Sequence, residues 1–157
     1  MRRGGFFCYG VGVWGCFVVA LRALAARGVL QVVDLRLRHE TDGNEAALCQ
    51  KLGLVYVSVP MGEGLPDFPA VERLLGLLAS SPTYVHCQHG CDRSGAIVAL
   101  YRTVVQGWSV PQAGVELLRN GFDAELEVLA RDICFYAREL RRTRHTPSRS
   151  VIALSLC

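Results

Sequence analysis

Apolar positions along the chain fall into two kinds of block, and their spacing separates strands from helices. Val29-Leu30-Gln31-Val32-Val33-Asp34-Leu35 and Leu54-Val55-Tyr56-Val57-Ser58-Val59-Pro60 are short and nearly continuous, as strands buried on both faces should be. Thr83-Tyr84-Val85 is a third, shorter run of the same kind. Between the first two, Asn44 to Leu52 predicts a short helix closed by Gly53. Ala70 to Ser80 predicts another of two to three turns, which Ser81-Pro82 ends. Beyond the third run, Ser94 to Gln106 predicts a helix stopped by Gly107, and Ser109-Val110-Pro111-Gln112 fits a capping box that starts the next. That helix should run to about Asn120, where Gly121 breaks it, and Asp123 is placed to cap a last long helix to about Arg142. Strands that alternate with helices predict an α/β fold with a mostly parallel sheet. No internal repeat is visible.

The first 28 residues support two readings. Arg2 and Arg3 precede a run of about sixteen apolar residues, and Ala23-Leu24-Ala25 supplies small residues after it, the order of a secretory signal or anchor. Leu21-Arg22-Ala23-Leu24-Ala25-Ala26-Arg27-Gly28 reads instead as the end of an amphipathic helix with a glycine cap, leading straight into the first strand, and this is the preferred reading. The expected division is therefore an apolar N-terminal segment 1–28, a catalytic domain 29–142 and a basic tail 143–157. A solvated tail is the better reading of that last stretch than a site for an anionic partner.

Composition narrows the class. The chain has 157 residues, enough for one domain with its own core, and 51% of them are hydrophobic, which excludes a disordered chain. A net charge of +3, with no strongly basic block, argues against a nucleic-acid partner. Cysteines 8, 16, 49, 87, 91, 134 and 157 show no paired metal spacing, so neither a metal nor another cofactor is expected. A reducing, cytoplasmic compartment is the simpler reading; export or membrane attachment would have to come from residues 1–25.

One stretch carries chemistry: His86-Cys87-Gln88-His89-Gly90-Cys91-Asp92-Arg93-Ser94-Gly95, between the third strand and a helix. A tight loop there gathers backbone N–H groups and a helix N-terminus around a small volume, which suits an anion. A thiol at its head is placed to attack as thiolate, and a guanidinium at its end offers a planar fork for two phosphoryl oxygens.

The pattern His-Cys-x5-Arg-Ser-Gly resembles the signature loop of the cysteine-dependent protein tyrosine and dual-specificity phosphatases, and its wording is most similar to small bacterial-type dual-specificity domains. Fainter likeness runs from about Gly28 to Arg138, through Asp34-Leu35-Arg36 and Thr103-Val104-Val105-Gln106-Gly107-Trp108; Arg3-Gly4-Gly5 echoes an opening strand. The resemblance implies a single tyrosine phosphatase-like domain with a central, mostly parallel, four- to five-stranded sheet flanked by helices. It implies that Cys87 is the nucleophile, that Arg93 clamps the phosphoryl group, and that Gln88, His89, Gly90, Cys91 and Asp92 line it with backbone donors. His86 and Ser94 take supporting roles, Ser94 by donating its hydroxyl to the departing thiolate.

Three carboxylates compete for general acid. Asp92 matches the x-Asp-Arg arrangement of myotubularins and ranks first. Asp67, in Leu65-Pro66-Asp67-Phe68, resembles the mobile acid loop of tyrosine phosphatases but stands closer to Cys87 than that family usually has it. Glu63 lies nearer the expected end of the strand. Arg36 and Glu40 either pair beneath the phosphate loop or form a solvated turn. Gln88 and Cys91 are neutral where polyphosphate-selective relatives carry Lys, which favours phosphotyrosine, phosphoserine/threonine or small monoesters over phosphoinositides. Cys91, with Cys49 and Cys134 as alternatives, is a candidate partner for an oxidised Cys87, although a niche-filling role for Cys91 is the simpler one. A sulfurtransferase or a non-catalytic phosphate-binding module remains the rival.

Overall fold

The computed structural model describes residues 14–41 and 43–145. Three parallel strands lie at the centre: β1 (Gln31–Asp34), β2 (Val55–Ser58) and β3 (Thr83–His86), in the order β2-β1-β3. Among the described residues the sheet is thus narrower than the four to five strands expected, and Arg3-Gly4-Gly5, the expected extra strand, lies outside them. Each strand is also shorter than its apolar run, because flanking residues such as Val29 and Leu54 pack in the core without joining the ladder.

Parallel pairing needs crossovers, and helices supply them. The helices are α1 (Trp14–Ala26), α2 (Asn44–Lys51), α3 (Phe68–Ser80), α4 (Asp92–Leu100), α5 (Val110–Arg119) and α6 (Glu127–His145), and of these α2 and α3 make the two crossovers. A turn of 3₁₀ helix, Arg38–Glu40, follows β1. The helix expected over 94–106 is split: α4 passes into one π-helical stretch, Tyr101–Val105, before Gly107 ends it. The capping box of Ser109 and Gln112 forms as read. Asp123 instead precedes a turn, and α6 starts four residues later and runs beyond Arg142.

Alternation along the strands builds two cores. Val33 and Val85 face α3, α4 and α6 with Leu74, Leu75, Ile97, Leu100, Ala137 and Leu140. Val32 and Tyr84 face the other way, against Leu21 and Leu24 of α1 and Cys49 of α2. Leu21 has no exposed surface, so α1 closes one face of the sheet. No helix among the described residues is long and apolar enough to cross a membrane.

Candidate active site

All three strands point their C-terminal ends at one rim, where crevices in open parallel sheets take ligands. β3 ends at His86, Cys87 to Cys91 form the loop, and α4 begins at Asp92. Cys87 is buried, with its Sγ 3.2 Å from the Gly90 N–H, which donates to it, and 3.4 Å from Ser94 Oγ. Gly90 takes φ +78°, a backbone state that only glycine adopts freely, and this turns its N–H inward. Gln88 and His89 extend their side chains to solvent.

Arg93 reaches away from its helix to two anchors. Nη1 donates to Glu40 Oε2 at 2.6 Å and to the Met61 carbonyl at 3.1 Å, and Nη2 donates to Glu40 Oε1 at 2.8 Å. Five N–H bonds exist on a guanidinium; three are spent on Glu40 and Met61, and Cys87 neighbours the remaining Nε–H and Nη2–H edge. The hydrogen bond from Arg93 holds the Glu40 carboxyl at about 2, and Glu40 in turn raises Arg93. Glu40 thus neither pairs with Arg36 nor stands solvated, the two readings left open for it: it holds Arg93.

Arg36 instead joins a buried cluster beneath the loop. Its Nε and Nη2 donate to Asp34 Oδ1 at 2.9 Å and Oδ2 at 2.8 Å, and Nη2 also donates to Glu45 Oε2. Glu45 Oε1 lies 2.8 Å from His86 Nε2, which fixes that nitrogen as the N–H donor, and Tyr56 donates its hydroxyl to Asp34 Oδ2 at 2.8 Å. Burial opposes charge on Asp34, yet the Arg36 side-chain and backbone bonds hold its carboxyl below the ordinary value. Asp34, Glu45 and His86 lie close enough to ligate a cation, but the Arg36 guanidinium already bridges the two carboxylates. His86 is thus held from behind by Glu45, with Asp34 and Tyr56 in the same cluster.

The three acid candidates part company. Asp92 Oδ1 accepts the Asp123 N–H at 2.9 Å, so it ties the loop to the α5–α6 connection. Asp67 Oδ1 accepts the Ala70 N–H at 2.8 Å and caps α3. Glu63 is exposed, two residues beyond the Met61 carbonyl that touches Arg93. Cys91 borders the loop with its thiol raised by burial, Asp92 and Cys87, whereas Cys49 sits in the α1–α2 core and Cys134 on the exposed side of α6.

A cysteine and an arginine held at the two ends of one tight strand-to-helix loop, on this sheet edge, are the arrangement of the cysteine-dependent phosphatases. The chain belongs to the family described as DSP-PTPase phosphatase fused to NAD+ kinase, whose model matches residues 19–130. It is 44% identical over 86 residues to the dual specificity protein phosphatase TpbA of Pseudomonas aeruginosa strain UCBPP-PA14, across 52% of this chain and 38% of that protein. The aligned stretch thus spans well under half the length of that relative. A crystal structure of P. aeruginosa TpbA superposes with a TM-score of 0.63 at 28% identity, covering 80% of each chain. A second, of a TpbA variant in complex with pTyr, gives 0.64 at 26%, over 82% of this chain and 81% of that one. The structure of PTPMT1 in complex with PI(5)P shares the fold at 19% identity, with a TM-score of 0.69 over 92% of this chain and 97% of its own.

Proposed function

We propose that the chain hydrolyses phosphate monoesters, phosphotyrosine and phosphoserine/threonine foremost, through a phosphocysteine intermediate. The observation that carries this is the Cys87 sulfur inside its donor loop, with Arg93 fixed by Glu40 so that one guanidinium edge stays available. The Cys87 thiolate attacks phosphorus, the S–P bond forms, and the ester P–O bond breaks. Arg93 and the N–H groups of Gln88 to Asp92 hold the equatorial oxygens as charge redistributes. A carboxylic acid gives its proton to the leaving oxygen. Water then attacks phosphorus and returns its proton to that carboxylate, while Ser94 donates a hydrogen bond to the departing thiolate.

Glu63 is the acid we favour. Asp92 and Asp67 each accept from a main-chain N–H, while Glu63 stands exposed two residues along the chain from Met61, whose carbonyl accepts from Arg93. Phosphotyrosine is supported by the TpbA complex, and the neutral Gln88 and Cys91 speak against a polyphosphorylated lipid headgroup. A reducing compartment such as the cytoplasm suits a working thiolate.

The test is hydrolysis of a panel holding phosphotyrosine, phosphoserine and phosphothreonine peptides, aryl phosphates and inositol phosphates. C87S should abolish turnover throughout without unfolding the protein; retained turnover would exclude the mechanism. Preference for the inositol phosphates would replace the protein-phosphatase reading with the lipid-headgroup one. Removal of the acid should cost about 10²–10⁴-fold on a poor leaving group and far less on a good one. E63Q should show that pattern, and its appearance in D92N or D67N alone would reassign the acid.

A further inference from the structure

Helix α6 supplies two polar side chains that no step above uses. On the face otherwise filled by Leu129, Ile133, Ala137 and Leu140 sit Asp132 and Tyr136, one turn apart and half-buried. Both reach the loop that leaves β2. Asp132 Oδ2 accepts the Leu65 N–H at 3.3 Å, and Tyr136 donates its hydroxyl to the Pro66 carbonyl at 2.9 Å. The Tyr136 ring also lies against Phe68, with 5.1 Å between centroids. A Cβ on Gly64 would come within 2.9 Å of Asp132 Oδ2, so the backbone approaches this carboxylate as closely as glycine permits. At its other end the loop is fixed by the Met61 N–H donating to the Leu35 carbonyl at 3.0 Å and by the Met61 carbonyl accepting from Arg93. Glu63 is therefore suspended between a fastening on the phosphate clamp and one on α6. Asp67 follows directly after the second fastening.

We propose that Asp132 and Tyr136 are positioning residues for proton transfer: they hold the Met61–Asp67 loop so that its acid stands at the leaving oxygen. Neither touches substrate. Their effect passes through the Leu65 and Pro66 backbone. Burial, with Asp132 and Asp67 nearby, raises the Tyr136 phenol, so its hydroxyl keeps the proton it donates across the working range. Proton donation needs the acid within about 3 Å of the leaving oxygen, and displacement by about 1 Å is enough to cost on the order of 10²-fold. The inference rests on an acid carried by this loop, Glu63 or Asp67, and not on Asp92.

The experiment measures kcat and KM of D132A, D132N, Y136F and the D132A/Y136F pair on two aryl phosphates, one with a poor leaving group and one with a good one. E63Q, D67N and D92N are measured alongside, with a thermal melt for each. D132A/Y136F should lose about tenfold to a hundredfold in kcat/KM on the poor leaving group and little in kcat/KM on the good one, while kcat can fall on both because the same carboxylate serves hydrolysis of the phosphocysteine. D132N keeps an oxygen for the Leu65 N–H and should recover most of the D132A loss. Equal losses in kcat/KM on both substrates would mean a merely structural contact and would overturn the inference. So would parental kcat/KM in the pair while E63Q or D67N shows the leaving-group effect, and in that case the acid assignment survives. If D92N alone shows it, the acid is not on this loop, and both the assignment and the inference fall.

Discussion

Glu40 and Arg93, 53 residues apart, meet in a two-pronged ion pair with separations of 2.6 and 2.8 Å. Orientation is what this pair contributes, beyond attraction. By occupying the outer Nη hydrogens, Glu40 turns the remaining edge of the guanidinium inward, toward Cys87.

E40Q should lower kcat/KM at neutral pH by about tenfold or more, because the amide keeps one accepting oxygen but sets an NH2 group against a guanidinium N–H at the second prong and removes the negative charge. Its stability effect has a definite pH dependence. The folded Glu40 carboxyl is depressed from 4.5 to about 2, so its contribution is complete above about 4.5 and fades as pH falls through about 2. Urea unfolding should show the parent ahead of E40Q by on the order of 1–2 kcal/mol at pH 7, converging at pH 2. A gap that persists at pH 2 would exclude the ion pair as its source.

Arg93→Lys should lose about 10²-fold or more in kcat on any monoester. One ammonium cannot hold the Glu40 carboxylate, the Met61 carbonyl and two phosphoryl oxygens together. Steady-state assay of R93K decides it, and a loss under tenfold would refute the clamp.

Cys49 should resist alkylation. Burial, with Glu45 and Asp34 behind it, pushes its thiol up to about 11, so it stays protonated and covered at pH 7.5. Iodoacetamide labelling with mass mapping should leave it unmodified in the folded protein and modify it in urea. Labelling as fast as that of the exposed Cys134 would contradict the α1–α2 core.

Leu21→Ala should cost about 2–5 kcal/mol, since Leu21 is fully buried among Leu24, Val32 and Tyr84. Urea midpoints of parent and L21A measure it. Near-equal midpoints would mean that the N-terminal helix is dispensable, as a cleaved or membrane-held segment would be.

Local text was readable. The Cys87–Gly95 loop is consecutive, and its glycine, thiol and guanidinium announce an anion site; the Ser109 box and the Gly107 stop are local signals too. What the sequence hid is pairing at a distance. Glu40 with Arg93 and Glu45 with His86 lie 53 and 41 residues apart, and nearby charges offered Glu40 only Arg36 or solvent. Strand ends were overrun because apolar character continues past the hydrogen-bonded ladder at Val29 and Leu54. Asp132 and Tyr136 did leave a trace, two polar positions spaced by four on the apolar face of the last helix, but nothing local says what they meet.

The strand order has a consequence for how the molecule comes into being. β1 is central, yet its partners lie at unequal remove: Val55 pairs with Gln31 across 24 positions, Thr83 across 52. Closing the longer loop costs only about 0.7 kcal/mol more in chain entropy, so what delays it is supply: a chain growing from its N-terminus holds β1 and β2 well before β3 exists. The register that sets Asp34 beside His86 comes with that last strand, and with it Cys87. During synthesis Cys87 is thus delivered to a rim whose Glu40, Glu45 and Met61 have already been made.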